Sequence, residues 1–223
     1  MRFCHTDLEG EFEWRENEHI GELVIEAPKM LRELLGELSN FDGEGKVRVS
    51  DGGKAVNFGK AVEVITNPVK LDFNSRTAMT ALLKMLVKAS VSEDFYMPTN
   101  SIKANIVKYL DDLVNAENFE FEVSTEDFLI DALAKAANIH IVGDQDDFVE
   151  LLTDYMSMMT ELVGVKLFIF VNLRGILLEE EFQRLVHNVE NHQLSLLLIE
   201  ECDRGKAEGI FRRILIDKDL CEL

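Results

Sequence analysis

Cysteine and proline are both scarce in this chain, at three each in 223 residues. The cysteines, Cys4, Cys202 and Cys221, lie far apart and form no CxxC pair. That leaves little support for a thiolate metal site or a dithiol redox centre, and a reducing, cytoplasmic setting is the expected one. With so few prolines there is no proline-rich linker, so domain limits have to be read from pattern and charge. No apolar run reaches the roughly 18 residues that span a bilayer. The opening MRFCHTDLEGEFEW is too acidic and too interrupted for a signal peptide, so no membrane partner is expected.

Basic residues are the next shortage: 23 Lys and Arg against 42 Asp and Glu, a net charge of -19. Taken whole, that balance argues against phosphate binding. The distribution says more, because residues 116–161 hold 12 acids and one base, Lys135. A solvated acidic face explains this stretch as well as a cation site does. The cation site has physical appeal, since crowded carboxylates repel one another unless something neutralises them.

Nucleotide and catalytic motifs are missing too. A phosphate-cradling loop reads G-x-x-x-x-G-K-[ST] between a strand and a helix. The candidate glycine–lysine pairs, Gly45-Lys46 and Gly53-Lys54, fail this test. Asn40 and Arg48 stand at the first glycine, and Val47 and Ala55 replace the magnesium-holding hydroxyl. There is no G-x-G-x-x-G and no G-x-S-x-G. GVKLFIFVNLRG (164–175) has the apolar run of a strand covered on both faces, but it ends in neutral Asn172 rather than an acid. In HNVENH, His187 and His192 are five residues apart, which places them on different helix faces, unlike a zinc helix. DQDDFVELLTDY (144–155) begins like a calcium loop but lacks the later ligand and glycine. Asp146 and Asp147 suit a helix N-terminus better.

What is present is alternation. Strands are predicted at 19–27, 61–67, 119–123, 139–142, 165–171, 194–201 and near RILIDKD, with a hairpin or strand and mobile loop over 46–58. Pro28 opens a helix with Met30, Leu31, Leu34, Leu35 and Leu38 on one face. Asn74 or Ser75 caps a helix over 76–90, whose stripe is Ala78, Leu82, Met85 and Leu86. After a break at Pro98 a second long helix follows over 101–116. Further helices are expected over 125–137, 146–162 and 179–190. Strands alternating with helices of crossover length make an α/β sheet, parallel in its centre. Residues 68–117 read as an inserted helical hairpin.

Several segments together resemble a known family. VKLFIFVNL followed by LLEEEFQRLVHNVENHQLSLLLIEE is similar to its K-L-L-V-F-I-N strand, T-x-D-E helix and V-L-F-L-E strand. VITNPVKLDFNS, FEFEVSTEDFLIDALAKAANIHI and RRILIDKDL resemble its other conserved-order segments. The family is the ring-forming, DNA-end-binding spacer-acquisition protein of type II-A CRISPR–Cas systems, and the chain resembles a divergent variant. The resemblance implies a P-loop/Rossmann-like, mostly parallel α/β head without a nucleotide motif (1–67 and 118–223), plus an inserted α-helical leg (68–117). It implies a non-catalytic homotetramer that threads ends of double-stranded DNA without sequence specificity and is stabilised by calcium. The integrase subunits and effector nuclease would be its partners. Lys54 and Lys60, with Lys135 and Arg174, would face the DNA. Glu120, Glu122, Glu126, Asp127 and Asp131 would supply the calcium ligands. Arg204, Lys206, Arg212 and Arg213 form a second basic group. The alternatives are a degenerate P-loop-like nucleotide hydrolase or metal-dependent nuclease, and a protein–protein scaffold.

Overall fold

The computed structural model describes residues 1–116, 130–143 and 146–223. They divide into two units, Met1–Asp72 with Gly143–Leu223, and Phe73–Val142. The first unit holds strands β1 (Arg2–His5), β2 (Glu11–Glu13), β3 (Ile20–Ile25), β4 (Val47–Asp51), β5 (Lys54–Ala55), β6 (Val62–Ile65), β7 (Leu167–Val171), β8 (Leu196–Glu200) and β9 (Ile210–Ile216). Its helices are α1 (Pro28–Ser39), α2 (Phe58–Ala61), α6 (Phe148–Val163) and α7 (Glu179–Asn191). The second unit holds α3 (Arg76–Ser90), α4 (Glu93–Asn115) and α5 (Ile130–Ala136).

Five strands form the central sheet in the order β6-β7-β8-β3-β9, every neighbouring pair parallel. The fold class is therefore the expected α/β type. All residues of β3, β7 and β8 are buried, which is why their sequences run apolar instead of alternating. One sheet face carries Leu23, Ile25, Leu167, Ile169, Leu197 and Ile199, which pack with Leu34 and Leu38 of α1. The opposite residues of the same strands include Phe168, Phe170, Leu196 and Leu198. On α6 and α7 the buried residues include Val149, Leu152, Met156, Met159, Phe182, Leu185, Val186 and Val189. Each such large apolar side chain contributes about 2 kcal/mol on leaving water.

Local signals set the helix ends. Pro28 occupies the first turn of α1, where its missing N–H costs nothing. Asp147 caps α6, its Oδ1 accepting from Val149 N at 2.9 Å and Glu150 N at 3.2 Å, and Gly164 ends that helix at φ 85°. Ser75, one of the two expected caps, accepts from Ala78 N at 3.3 Å at the start of α3. At α7, Glu181 reaches back to Leu178 N at 2.8 Å, half of a capping box.

The structure departs from the sequence reading at several points. The N-terminal residues form β1 and β2, which join the β4–β5 hairpin in a second, antiparallel sheet ordered β2-β1-β4-β5. Its Phe3, Phe12, Trp14, Val47 and Val49 enter the same core as α1. Residues 139–142 are not a strand. The side chain of Asn74 takes the pairing instead, accepting from Ile141 N at 2.8 Å and donating to Ile141 O at 2.9 Å. Pro98 does not break the chain into separate helices, because α4 runs through it. It lies in the second turn and removes a single intrahelical bond. The expected strand at 119–123 and the first part of the helix expected over 125–137 fall outside the described residues. In the second unit α5 packs on α3, so residues 130–142, assigned to the head on sequence, group here with the helices.

Candidate nucleic-acid interface

Open parallel sheets offer a crevice at the carboxyl ends of their strands, where ligands are usually held. Here the connections leaving β3 and β7 are built for packing rather than for a phosphate. Only Glu26 and Ala27 separate β3 from Pro28 of α1. That connection has neither the length nor the glycines to cradle a phosphate, and proline removes one of the amides a helix N-terminus would offer. Asn172, at the end of β7, adopts φ 54°. Its backbone N donates to Ile199 O at 2.8 Å, and its Oδ1 accepts from Glu201 N at 3.0 Å. The residue ties the β7 and β8 ends together, a role that suits a short amide side chain in the left-handed region.

Two carboxylates lie on the α7 side of the sheet. Glu22, in the middle of β3, is 1% exposed and accepts from two arginines: Arg174 Nη1 at 2.6 Å and Arg213 Nε at 2.9 Å. Arg174 also donates to Gly205 O at 2.9 Å, and its guanidinium sits 5.1 Å over the Phe182 ring. Arg213 reaches Asp203 as well. Glu200, at the end of β8, is equally buried. Burial pushes its carboxyl up to about 7, against the opposing hydrogen bond from Arg174 N at 3.0 Å and with Glu22 adding to the rise. Arg174, a DNA-binding candidate from sequence, is thus 7% exposed and committed to Glu22. Arg213 of the second basic group is similarly engaged, and Arg204 lies 4.0 Å from Glu200.

The lysines occupy different ground. Gly52 and Gly53, both at positive φ, form the two-residue turn that sets Lys54 directly opposite Asp51. Lys60 lies in the short α2. Both lysines are exposed, and neither makes an ion pair with a described residue. A third lysine, unremarked in the sequence because it opens the apolar run of β7, stands beside them. Lys166 N donates to Ala61 O at 2.8 Å, next to Lys60, and its Nζ lies 2.7 Å from Asp51 Oδ2. Asp51 also faces the Met1 ammonium at 3.9 Å. The Lys166 ammonium holds the Asp51 carboxyl below its ordinary range. Lys135 lies in the other unit, on α5, paired with Asp131 at 2.9 Å.

Of the five carboxylates expected to bind calcium, Glu120, Glu122, Glu126 and Asp127 fall outside the described residues. The fifth, Asp131, is held low by Lys135. Among the described residues no three His, Cys, Asp or Glu side chains are grouped to hold a metal ion. His187 pairs with Asn191 at 2.9 Å and His192 with Ser157 at 3.3 Å, so each has a local partner. Among the described residues no helix is long and apolar enough to cross a membrane.

A family model described as CRISPR-associated protein (Cas_Csn2) matches residues 40–220. The chain belongs to this family. Its Cas_Csn2 membership makes it a CRISPR-associated protein, as the strand and helix segments in sequence suggest. No curated protein matches the sequence. Among solved structures, a putative ABC transporter ATP-binding protein from Pyrococcus furiosus aligns over 96% of both chains, at 9% identity and a TM-score of 0.39.

The buried Glu22 and Glu200 were missed on sequence. Each sits inside or at the end of an apolar strand, and a lone acid there signals a buried partner. Which arginine supplies that partner is set by the sheet order, which the sequence pattern leaves open.

Proposed function

We propose that this Cas_Csn2 protein is a non-catalytic double-stranded-DNA-binding ring that takes part in spacer acquisition. The observation that carries the reading is the exposed lysine pair, Lys54 and Lys60, on the α/β unit of a Cas_Csn2 family member. The pair is presented by a turn and a short helix on the α/β unit, which suits backbone phosphate contact. Arg174 is left out of that surface because of its commitment to Glu22. Lys135 remains a candidate only if it exchanges Asp131 for phosphate.

A homotetramer explains how so acidic a chain meets DNA. Symmetry brings several copies of the same lysines around one axis and makes a locally positive channel. The acids between residues 116 and 161 would then hold calcium, their hard carboxylate oxygens being the right donors for that ion. Glu120, Glu122, Glu126, Asp127 and Asp131 are the proposed ligands, and integrase subunits and the effector nuclease the proposed partners in the cytoplasm.

A gel shift with linear and covalently closed duplexes of equal length tests the ring. Threading over ends gives retention of the linear duplex and little of the closed circle. Equal binding of both forms contradicts threading.

A further inference from the structure

We propose that Lys166 is the third phosphate-contacting residue of the surface that carries Lys54 and Lys60, and that Asp51 is the built-in counterion which phosphate displaces from it. This rests on the DNA-binding reading given above. Three separate segments converge here. The β4–β5 hairpin sets Asp51 and Lys54 directly opposite, which places their side chains on the same face of the antiparallel sheet. The chain entering β7 is bonded to the end of α2 through Lys166 N and Ala61 O, at 2.8 Å. Lys60 is the residue before Ala61, so it lies on the segment bonded to the Lys166 backbone.

The charges at this point do not cancel. Asp51 meets the Lys166 ammonium at 2.7 Å, with Lys54 across the hairpin. In a chain of net charge -19, cations outnumbering acids at one place is itself informative. The Asp51 and Lys166 side chains are 40% and 57% exposed. An ion pair this open to water is weak and easily exchanged. An approaching phosphate can take the ammonium from the carboxylate without breaking anything in the core. Asp51 thereby limits how strongly the surface attracts polyanions, and its removal strengthens that attraction.

The test uses the full chain as wild type, Lys166→Gln, Asp51→Asn and the Asp51→Asn/Lys166→Gln double variant. Each is titrated with a short linear duplex over a range of salt, and each is eluted from immobilised heparin. Asp51→Asn is expected to tighten duplex binding roughly threefold and steepen the log–log salt slope by about 0.9, the effect of one added phosphate contact. Lys166→Gln is expected to weaken binding by a similar factor. The double variant is expected to match Lys166→Gln, because freed charge on Lys166 is what Asp51→Asn exposes. If wild type binds duplex and Lys166→Gln binds equally well, Lys166 has no such role and the inference fails while the DNA reading stands. If no variant binds duplex but heparin elution keeps the order Asp51→Asn, wild type, Lys166→Gln, the surface stands and the DNA reading fails. Equal elution of all four with no duplex binding overturns both. Lys166 is exposed, so its variant stays informative even if Asp51→Asn lowers the unfolding midpoint.

Discussion

Arg174 and Glu22 are joined across 152 residues of sequence by a hydrogen-bonded ion pair of 2.6 Å, with 7% and 1% of their side chains exposed. The pair fixes the turn after β7 to the middle of β3.

Removing one member leaves the other charged and buried. Arg174→Ala is expected to lower unfolding free energy by about 3 kcal/mol, the usual cost of a broken buried pair. Arg213 remains on Glu22 and limits the loss. The combination Arg174→Met/Glu22→Leu is expected to recover part of it, since replacing both charges by apolar groups removes the unpaired charge. Urea unfolding of the single and double variants measures both effects.

Glu200 and Asp147 respond to pH with opposite signs. The Glu200 carboxyl is raised from its ordinary 4.5 to about 7 in the folded state. Between those values the unfolded chain has already lost the proton that the folded chain retains. Its contribution to stability is therefore full below about 4.5 and declines as pH rises towards 7, by about 3 kcal/mol in all. Glu200→Gln is expected to flatten that decline in unfolding midpoints taken from about pH 5 to about pH 8. The Asp147 carboxyl is held below its ordinary range by Arg184 and by the backbone amides at the start of α6. What it contributes is present above its unfolded value and is lost as acid protonates it. Asp147→Ala is expected to lower the urea midpoint more than Arg184→Ala at neutral pH, and the difference is expected to vanish in acid.

Gly21 shows how closely the two sheets meet. A Cβ at this position would stand 2.6 Å from the Phe12 ring, and Phe12 is fully buried. Gly21→Ala is expected to cost about 1–3 kcal/mol through overpacking. Adding Phe12→Leu relieves the clash, and the double variant is expected to be less destabilised than the sum of the singles. Equal additivity in thermal or urea unfolding would contradict this contact.

The parallel sheet was legible because β3, β7 and β8 are buried on both faces and read as apolar runs. Pro28, Ser75 and Asp147 marked helix starts through chemistry that acts within a few residues. Harder to read was anything that depends on distant partners. In FCHTDLEGEFEW the alternation of Phe12 and Trp14 is brief, and only pairing with β4 turns it into a sheet. IHIV has the composition of a strand, yet an Asn74 amide supplies its pairing. Lys54 and Lys60 were named through the family resemblance of the loop that carries them. Lys166 was not, because its meaning comes from Asp51, 115 residues away.

The most direct measurement is binding of a linear duplex by wild type and by Lys54→Glu/Lys60→Glu, across a salt series. Wild type is expected to bind without sequence preference and to weaken steeply as salt rises. The double variant is expected to lose roughly tenfold or more in affinity and to show a slope shallower by about 2, with unchanged unfolding. Equal affinity and equal salt dependence of the two proteins would contradict a DNA-binding surface built on these lysines.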